Sequence, residues 1–459
     1  MNEQTWATWP TRALLTLLAM LVALSVLPAA STAPAETAAA QGTAGVEEVI
    51  VVLDDGADPV AVAQEMGVAV THIYRNVFTG FAGTLPAGAL DEARASRTVQ
   101  RIFPDGEVKA EVQTIPTGVR RSGVPTSGDN LNIVSPVDAD IAILDTGVNA
   151  AGDLTIAGGT SCVSEVKEDK KNKKKKDRKK DKNKDKGSGS FADDNGHGTH
   201  TAGIAAAIDD TDGVVGVAPG ARIWAIKVLD ANGEGSFSDV ICGLDFVVAN
   251  QNTIDVVNLS LGGPGSDDQC NVNAIPFHQA ICNVVAAGIP VVAAAGNQSQ
   301  DVAGVPGDPA KGPRVPAVYE EVITVSGYAD SDGARGANGP ETCSQHDDDT
   351  FLNFSNFGQD VDIMAPGDCI LSLSNTGALA TESGTSESAP HVAGAAAHFI
   401  AQQVALTGTH PTPAETRTWL LTMASRPQSV DGVTGDPDPD LPGFREPVLW
   451  LALLPPPPP

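Results

Sequence analysis

Apolar residues in this chain fall into short blocks whose spacing changes partway along. Val46 to Leu53 is a strand-like run, and Pro59 to Met66 repeats with helical spacing. Gly80 to Leu85 reads as a further strand, Leu90 to Ala95 as a helix, and Val99 to Phe103 closes the set before Pro104-Asp105. Small β-α-β-β-α-β units have that rhythm. From about Val112 the pattern differs. Apolar runs at Asp140 to Leu144, Ile223 to Leu229, Val256 to Leu259, Val291 to Ala295 and Val322 to Val325 predict strands buried on both faces. Thr199 to Ile208, Asp239 to Asn250, Pro276 to Ala287, His391 to Gln403 and Ala414 to Met423 predict helices. Strands alternating with helices imply an α/β domain, a mainly parallel sheet with helices on both faces. In such sheets chemistry sits at the carboxyl ends of the strands, so polar residues there are the candidates.

The two ends depart from this pattern. Arg12 precedes a mostly apolar run from Ala13 to Leu27, and small residues follow, including Ala29-Ala30-Ser31 and Ala38-Ala39-Ala40. The run is short of the ~20 residues of a membrane span, so residues 1–40 read as a signal peptide and spacer, with an uncleaved anchor as the alternative. No other stretch could span a bilayer. The protein is expected to be secreted and extracellular, with no stable membrane insertion. Pro455 to Pro459 predict a disordered polyproline tail.

Hydrophobic residues at 42% and charged ones at 19% fit a globular chain, but the net charge of -28 conceals a split. Lys167 to Lys186 gathers 13 of the 29 basic residues against 5 acidic ones, and only Lys109, Lys227 and Lys311 are lysines outside it. The rest is an acidic body, which argues against nucleic acid as a partner because phosphate binding needs a basic face. Alternating Lys, Asp and Asn followed by Gly-Ser-Gly-Ser predicts a disordered insertion at 167–190, with docking to anionic polymers as the other reading. The 6 cysteines form no CxxC and match no zinc pattern. Export permits disulfides. Cys270 and Cys282 lie close in sequence, as do Cys343 and Cys369, which would leave Cys162 with Cys242, although the count alone allows other connectivities.

Three motifs hold candidate chemistry. Ile141-Ala142-Ile143-Leu144-Asp145-Thr146-Gly147 ends a buried strand in a carboxylate, which alone could merely cap a turn. Asn195-Gly196-His197-Gly198-Thr199-His200 puts a glycine-flanked imidazole at a helix start, where a metal ligand or a loop residue is as common. Ser383-Gly384-Thr385-Ser386-Glu387-Ser388-Ala389-Pro390-His391 sets a hydroxyl at the mouth of an Ala-rich helix, where it could be an N-cap. Together they supply an orienting carboxylate, a base and a nucleophile, in the chain order known from subtilisin.

These motifs, with their neighbours, closely resemble the subtilisin and proteinase K-like serine peptidases. The resemblance implies a three-layer subtilisin-like fold at residues 112–454. It implies a secreted serine endopeptidase acting on protein or peptide substrates, with no catalytic cofactor and expected to be a monomer. Ser386 would be the nucleophile, His197 the general base and Asp145 its orienting partner, with His200 facing the structure around its helix. Asn297, after Val291 to Gly296, would donate to the oxyanion. Gly233-Glu234-Gly235 and Ser260-Leu261-Gly262 would be the two edges that sandwich an extended substrate. Val46 to Glu111 resembles the family's α+β, ferredoxin-like propeptide, so 41–111 is expected to serve as the enzyme's own inhibitor, with processing near Glu111/Val112.

The resemblance also implies structural calcium, bound by Gln113, Asp153 and the loop Ile208 to Val214 with Asp210 as its side-chain ligand. Two positions depart from the family pattern. Glu387 follows the nucleophile where Met is usual, and could raise the His197 pKa or disfavour the oxyanion. Arg314 falls near the base of the S1 pocket, where a small residue is common, and would favour an acidic P1 residue. The rival reading is a non-catalytic binding or scaffold protein on the same fold.

Overall fold

The computed structural model describes residues 46–86, 89–110, 118–123, 136–150, 152–163, 190–210, 213–270, 274–438 and 445–451. The expected signal segment, Gln113, the Glu111/Val112 bond, all but the last residue of the Lys-rich insertion and the polyproline tail lie outside them. Ten strands form the main sheet, nine along one path and Thr350–Phe351 paired antiparallel to Val322–Ala329 off it. Across it run Thr155–Ser161, Arg222–Lys227, Asp140–Asp145, Val256–Leu259, Val291–Ala294, Val322–Ala329, Ile363–Asp368, Val448–Leu449 and Ser425–Arg426. All neighbours on that path are parallel except the last pair.

Alternation along each strand divides the core into two. Ile141, Ile143, Ile223, Val256, Val292 and Ile323 face one way, onto helices His197–Ala206 and Thr385–Thr407. Ala142, Leu144, Ile226, Val257, Leu259 and Val291 face the other, onto helices Phe237–Ala249 and Pro276–Ala286. Three layers follow because each strand is apolar on both sides.

The helix expected from His391 begins six residues earlier, at Thr385. Pro390 sits inside it and offers no N–H to the carbonyl of Ser386 one turn back. The Ser260 hydroxyl donates to that carbonyl instead, at 2.7 Å. A proline near the start therefore does not end this helix, because a neighbouring loop supplies the missing donor.

Two sheet strands carried no clear signal in the sequence. Thr155–Ser161 contains Gly158, packed under Trp224, and Gly159, where a Cβ would lie 2.1 Å from the Ala225 carbonyl oxygen. Ile363–Asp368 contains Pro366-Gly367, which reads as a turn.

Residues 46–104 form a separate antiparallel sheet, ordered Ala69–Tyr74, Gly80–Pro86, Val46–Leu53 and Val99–Pro104, with helices Pro59–Glu65 and Leu90–Ala95. Ala69–Tyr74 is largely exposed, so it lacked an apolar pattern. One face of this sheet, through Ile50, Val52, Tyr74 and Ala82, joins the core formed by Val240, Leu244 and Phe277. Polar contacts fix the seating. Asp245 accepts from the backbone N–H groups of Asn76 (2.6 Å) and Val77 (2.9 Å), Tyr74 Oη donates to the Ser238 carbonyl (2.8 Å), and His72 Nε2 lies 2.7 Å from Asp239 Oδ1.

The disulfides join Cys162 to Cys242, Cys270 to Cys282 and Cys343 to Cys369, as the spacing suggested. A buried ionic cluster ties residues 118–123 to the C-terminal segment. Arg121 is fully buried, 3.2 Å from Asp330, 2.5 Å from Asp349 and 2.7 Å from Asp431, beneath the Tyr328 ring at 5.4 Å. Removing the cation from such a group leaves buried carboxylates uncompensated, which costs about 3–5 kcal/mol. Arg121→Ala is therefore expected to lower stability by about that amount in thermal melts of the Ser386→Ala chain. A melting temperature within error of the parent would contradict it.

Candidate active site

Asp145 closes the strand Asp140–Asp145 and is fully buried. Beyond it the chain must turn sharply. Gly147 takes φ 105° with no room for a Cβ, which would fall 2.5 Å from the Phe191 carbonyl oxygen. His197 opens the helix His197–Ala206 after Gly196, whose φ is 127°. The imidazole Nδ1 lies 2.8 Å from Asp145 Oδ1 and 2.9 Å from Oδ2. Gly198 permits this approach, since a Cβ there would lie 2.1 Å from the Gly147 carbonyl oxygen. The opposite ring atom, His197 Nε2, is buried with no hydrogen-bond partner among the described residues.

Asp193, not singled out in the sequence, braces this corner. Its carboxylate accepts from Thr146 Oγ1 (2.9 Å), Gly196 N (2.8 Å), Thr199 N (2.9 Å) and Thr199 Oγ1 (2.6 Å). It joins the strand end to the start of the helix. A sequence signal existed in Asp193 lying a few residues before a helix start, but such acidic loop residues are common.

Ser386 occupies the first turn of Thr385–Thr407, buried, with its hydroxyl donating to the Ser260 carbonyl at 3.3 Å. Asn297 follows the strand Val291–Ala294, and its Oδ1 accepts from Thr385 N (3.0 Å) and Thr385 Oγ1 (3.1 Å). Those bonds orient the amide and leave Nδ2 buried without a partner. A preorganised N–H without an acceptor can serve an anion that develops beside it. Thr385 therefore positions Asn297, a role that only the structure reveals.

Two glutamates crowd the imidazole. Glu387 is fully buried and Glu382 partly so, and ligand atoms of His197, Glu382 and Glu387 all lie within 4.8 Å of one another. Burial pushes the Glu387 carboxyl well above the usual carboxylate range, and the Glu382 and Asp145 charges push the same way. Burial by itself would lower the His197 pKa, but the charge and hydrogen bond of Asp145 outweigh it, with Glu387 and Glu382 adding, so the imidazole is held above its ordinary value. The largest pull raising the His197 pKa is that of Asp145. His200 faces inward as expected, with Nε2 3.2 Å from the Ile370 carbonyl oxygen and burial lowering its pKa to about 3.

The expected substrate edges face each other across a short sheet, ordered Arg314–Val315, Leu261–Pro264, Glu107–Ala110 and Glu234–Ser236. Residues 107–110 thus lie as an antiparallel strand between the two edges. Lys109 is opposite Gly262 and Ala110 opposite Leu261 on one side, while Val108 is opposite Gly235 on the other. Gly233 makes the turn before that edge, its N–H donating to the Asp230 carbonyl at 3.0 Å. Arg314 pairs with Pro264 on the outer side of the same sheet.

Asp153 is buried against the loop 208–214. Its Oδ2 accepts from Val214 N (3.2 Å), its carbonyl accepts from Ile208 N (3.1 Å), and a Cβ on Gly213 would lie 2.2 Å from Oδ2. Asp210 lies on this loop and is exposed, while Gln113 is outside the described residues.

Residues 138–438 match the subtilase family, Peptidase_S8. The chain is 34% identical over 298 residues to Subtilisin DY of Bacillus licheniformis, covering 63% of this chain and 86% of that protein. It is 30% identical over 339 residues to Subtilisin E of Bacillus subtilis, covering 72% and 71% respectively. The crystal structure of a cold adapted subtilisin-like serine proteinase superimposes with a TM-score of 0.50 at 26% identity, over 72% of this chain and 97% of that one.

The geometry fixes the sign of one titration. With Asp145 ionised, the His197 imidazolium is favoured; with that charge removed, burial alone favours the neutral ring. Nitrogen NMR of the histidines should show His197 titrating above its ordinary pKa in the parent chain and distinctly lower in Asp145→Asn. An unchanged midpoint would show that Asp145 does not control the imidazole.

Proposed function

The chain belongs to the subtilase family and is a serine-type endopeptidase, and we propose that Ser386, His197, Asp145 and Asn297 carry its chemistry. The observation that bears most weight is the buried Asp145–His197 pair with Nε2 open, at the mouth of the helix that carries Ser386. The Ser386 hydroxyl turns from the Ser260 carbonyl toward Nε2 and attacks the scissile carbonyl carbon as its proton passes to His197. Asp145 holds Nδ1–H toward itself and stabilises the imidazolium. The carbonyl oxygen becomes an oxyanion, which takes a hydrogen bond from Asn297 Nδ2 and from the Ser386 backbone N–H. His197 then returns the proton to the leaving amine. Water repeats the sequence on the acyl-enzyme and regenerates the hydroxyl.

Burial and the neighbouring carboxylates both disfavour charge on Glu387, which lessens its opposition to the oxyanion. Family membership supports an extracellular location, and the sequence of residues 1–40 is consistent with an export signal. Residues 41–111 serve as a ferredoxin-like inhibitory propeptide in this reading, ahead of the catalytic domain at 112–454. The strand 107–110 between the two substrate edges supports it, as does Asp105, whose Oδ1 accepts from Ser238 N at 2.8 Å at the start of helix Phe237–Ala249. Ala110 is opposite Leu261, next to Ser260, and this register supports a cut after Glu111. Gly233, Gly235, Ser260, Leu261 and Gly262 would hold the backbone of other peptide substrates in the same manner, and the enzyme would act as a monomer.

Acidic clusters able to hold a cation exist in the chain. We further assign structural calcium to Gln113, Asp153 and Asp210, because the buried Asp153 carboxylate is cradled by the loop that carries Asp210. Calcium there would tie the loop down and take no part in the reaction.

Expression of the parent beside Ser386→Ala tests the catalytic assignment. The parent should cleave itself near Glu111 and take up a fluorophosphonate, and Ser386→Ala should stay full length and unlabelled. A parent that remains intact and unlabelled would favour the scaffold reading. Arg314 is proposed to select an acidic P1 side chain. Peptides with Glu at P1 should be cleaved with higher kcat/KM than those with Phe, and Arg314→Gly should reverse the order; a parent that prefers Phe would refute the assignment.

A further inference from the structure

A second group of buried carboxylates lies far along the chain from the proposed catalytic residues, where the C-terminal segment returns to the sheet. After the short helix Gln428–Asp431 the backbone passes Asp436 and Asp438, and at Glu446 it leads into Val448–Leu449, parallel to Ile363–Asp368. Asp436 and Asp438 are each 6% exposed and Glu446 is 3% exposed, and carboxylate oxygens from the three lie within 4.8 Å of one another. Three negative charges this close in a dry setting repel one another and have lost their water.

Their surroundings do not neutralise them. Among the described residues no Lys, Arg or His makes an ion pair with any of the three, and Arg445 donates from Nε to the Asp438 backbone carbonyl at 3.3 Å. The partners present are hydrogen-bond donors, which suit ionised acceptors. Asp438 N donates to Asp436 Oδ1 (2.9 Å), Gly358 N to Asp438 Oδ2 (3.0 Å), Gln428 Nε2 to Asp436 Oδ2 (2.5 Å), and Ser326 Oγ to Glu446 Oε1. Two further oxygens are buried and have no hydrogen-bond partner among the described residues: Glu446 Oε2 and Gln428 Oε1, the latter on a side chain only 5% exposed. The Gln428 amide is held at the cluster through Nε2, which also donates to the Glu446 carbonyl at 3.0 Å.

We propose that Asp436, Asp438, Glu446 and the Gln428 amide oxygen form a buried calcium site that latches the C-terminal segment onto the central sheet. The donor set is all oxygen, with no imidazole or thiolate, which selects a hard cation. Two ligands at about 2.4 Å from one ion can be at most about 4.8 Å apart, so the spacing of the carboxylates fits a shared ion. The absence of a counter-cation and the two unpartnered oxygens are what a cation would answer. The site shares no residue with the Asp153 loop and is independent of the catalytic assignment. Its occupant would bind the turn at Gln428 and both arms of the 436–446 excursion, with Ser326 anchoring Glu446 to strand Val322–Ala329.

The test uses the full chain carrying Ser386→Ala, which prevents self-digestion, with calcium chloride as the probe. Equilibrium dialysis should show one fewer bound calcium in Glu446→Gln than in the parent, and Asp153→Asn combined with Glu446→Gln should lose a further one. Hydrogen exchange of the parent, with and without EDTA, gives a reading that requires no variant: calcium should protect residues 425–438 and 446–450. Equal calcium content in the parent and a folded Glu446→Gln, or exchange in these segments that ignores calcium, would overturn the site. If only the Asp153→Asn change lowers the content, the cluster is held by protons and the proposal fails.

Discussion

The proposed catalytic groups enter the middle of this molecule where the parallel strands stop. Ile141 and Ile143 face one helix layer while Ala142 and Leu144 face the other, so no position within Asp140–Asp145 tolerates an unpaired charge until the strand ends. Asp145 stands at that limit, and Asn297 stands just past the end of Val291–Ala294. Both are held by groups from helix starts, His197 for the carboxylate and Thr385 for the amide. The sheet fixes the strand ends, and each strand end fixes a helix start. The open Nε2 and Nδ2 atoms are what remains once those internal bonds are made.

The same constraint explains what could be read from the residues alone. Strands buried on both faces are mostly apolar, and Asp140–Asp145, Val256–Leu259 and Val291–Ala294 were legible for that reason. Strands that carry glycine or proline for close packing were not, as Thr155–Ser161 and Ile363–Asp368 show. Among candidate site residues, legibility followed the motif. Asp145, His197, Ser386 and Asn297 lie in recognisable stretches, whereas Asp193, Thr385 and Glu382 act through partners remote in sequence. Thr385 Oγ1 meets Asn297 across 88 positions, a relation that no local pattern encodes. Arg121 is the extreme case, an arginine in an unremarkable stretch that becomes the centre of a buried ionic group.

Glu387 illustrates how burial converts a residue's chemistry. At the surface a carboxylate beside the proposed nucleophile would oppose a developing oxyanion. Fully buried and beside Glu382 and Asp145, it is pushed toward its protonated form. His197 can bear a positive charge because Asp145 meets it directly at 2.8 Å. Burial acts on both groups, and what separates them is whether a specific partner compensates the loss of water.

The C-terminal segment closes the sheet under a similar rule. Its strands contribute only short ladders, Val448–Leu449 and Ser425–Arg426, too little backbone pairing to hold the segment alone. Charge does the remaining work at two points. Near Asp431, an internal arginine pairs with three carboxylates and stacks beneath Tyr328. Near Glu446, three carboxylates gather with no ion pair to a cationic side chain among the described residues, although backbone and amide donors already address them as anions. A chain that supplies its own counter-charge at one anchor and omits it at the other has built two different devices. The first is fixed once the chain folds. The second, if it holds the proposed cation, depends on what the medium provides.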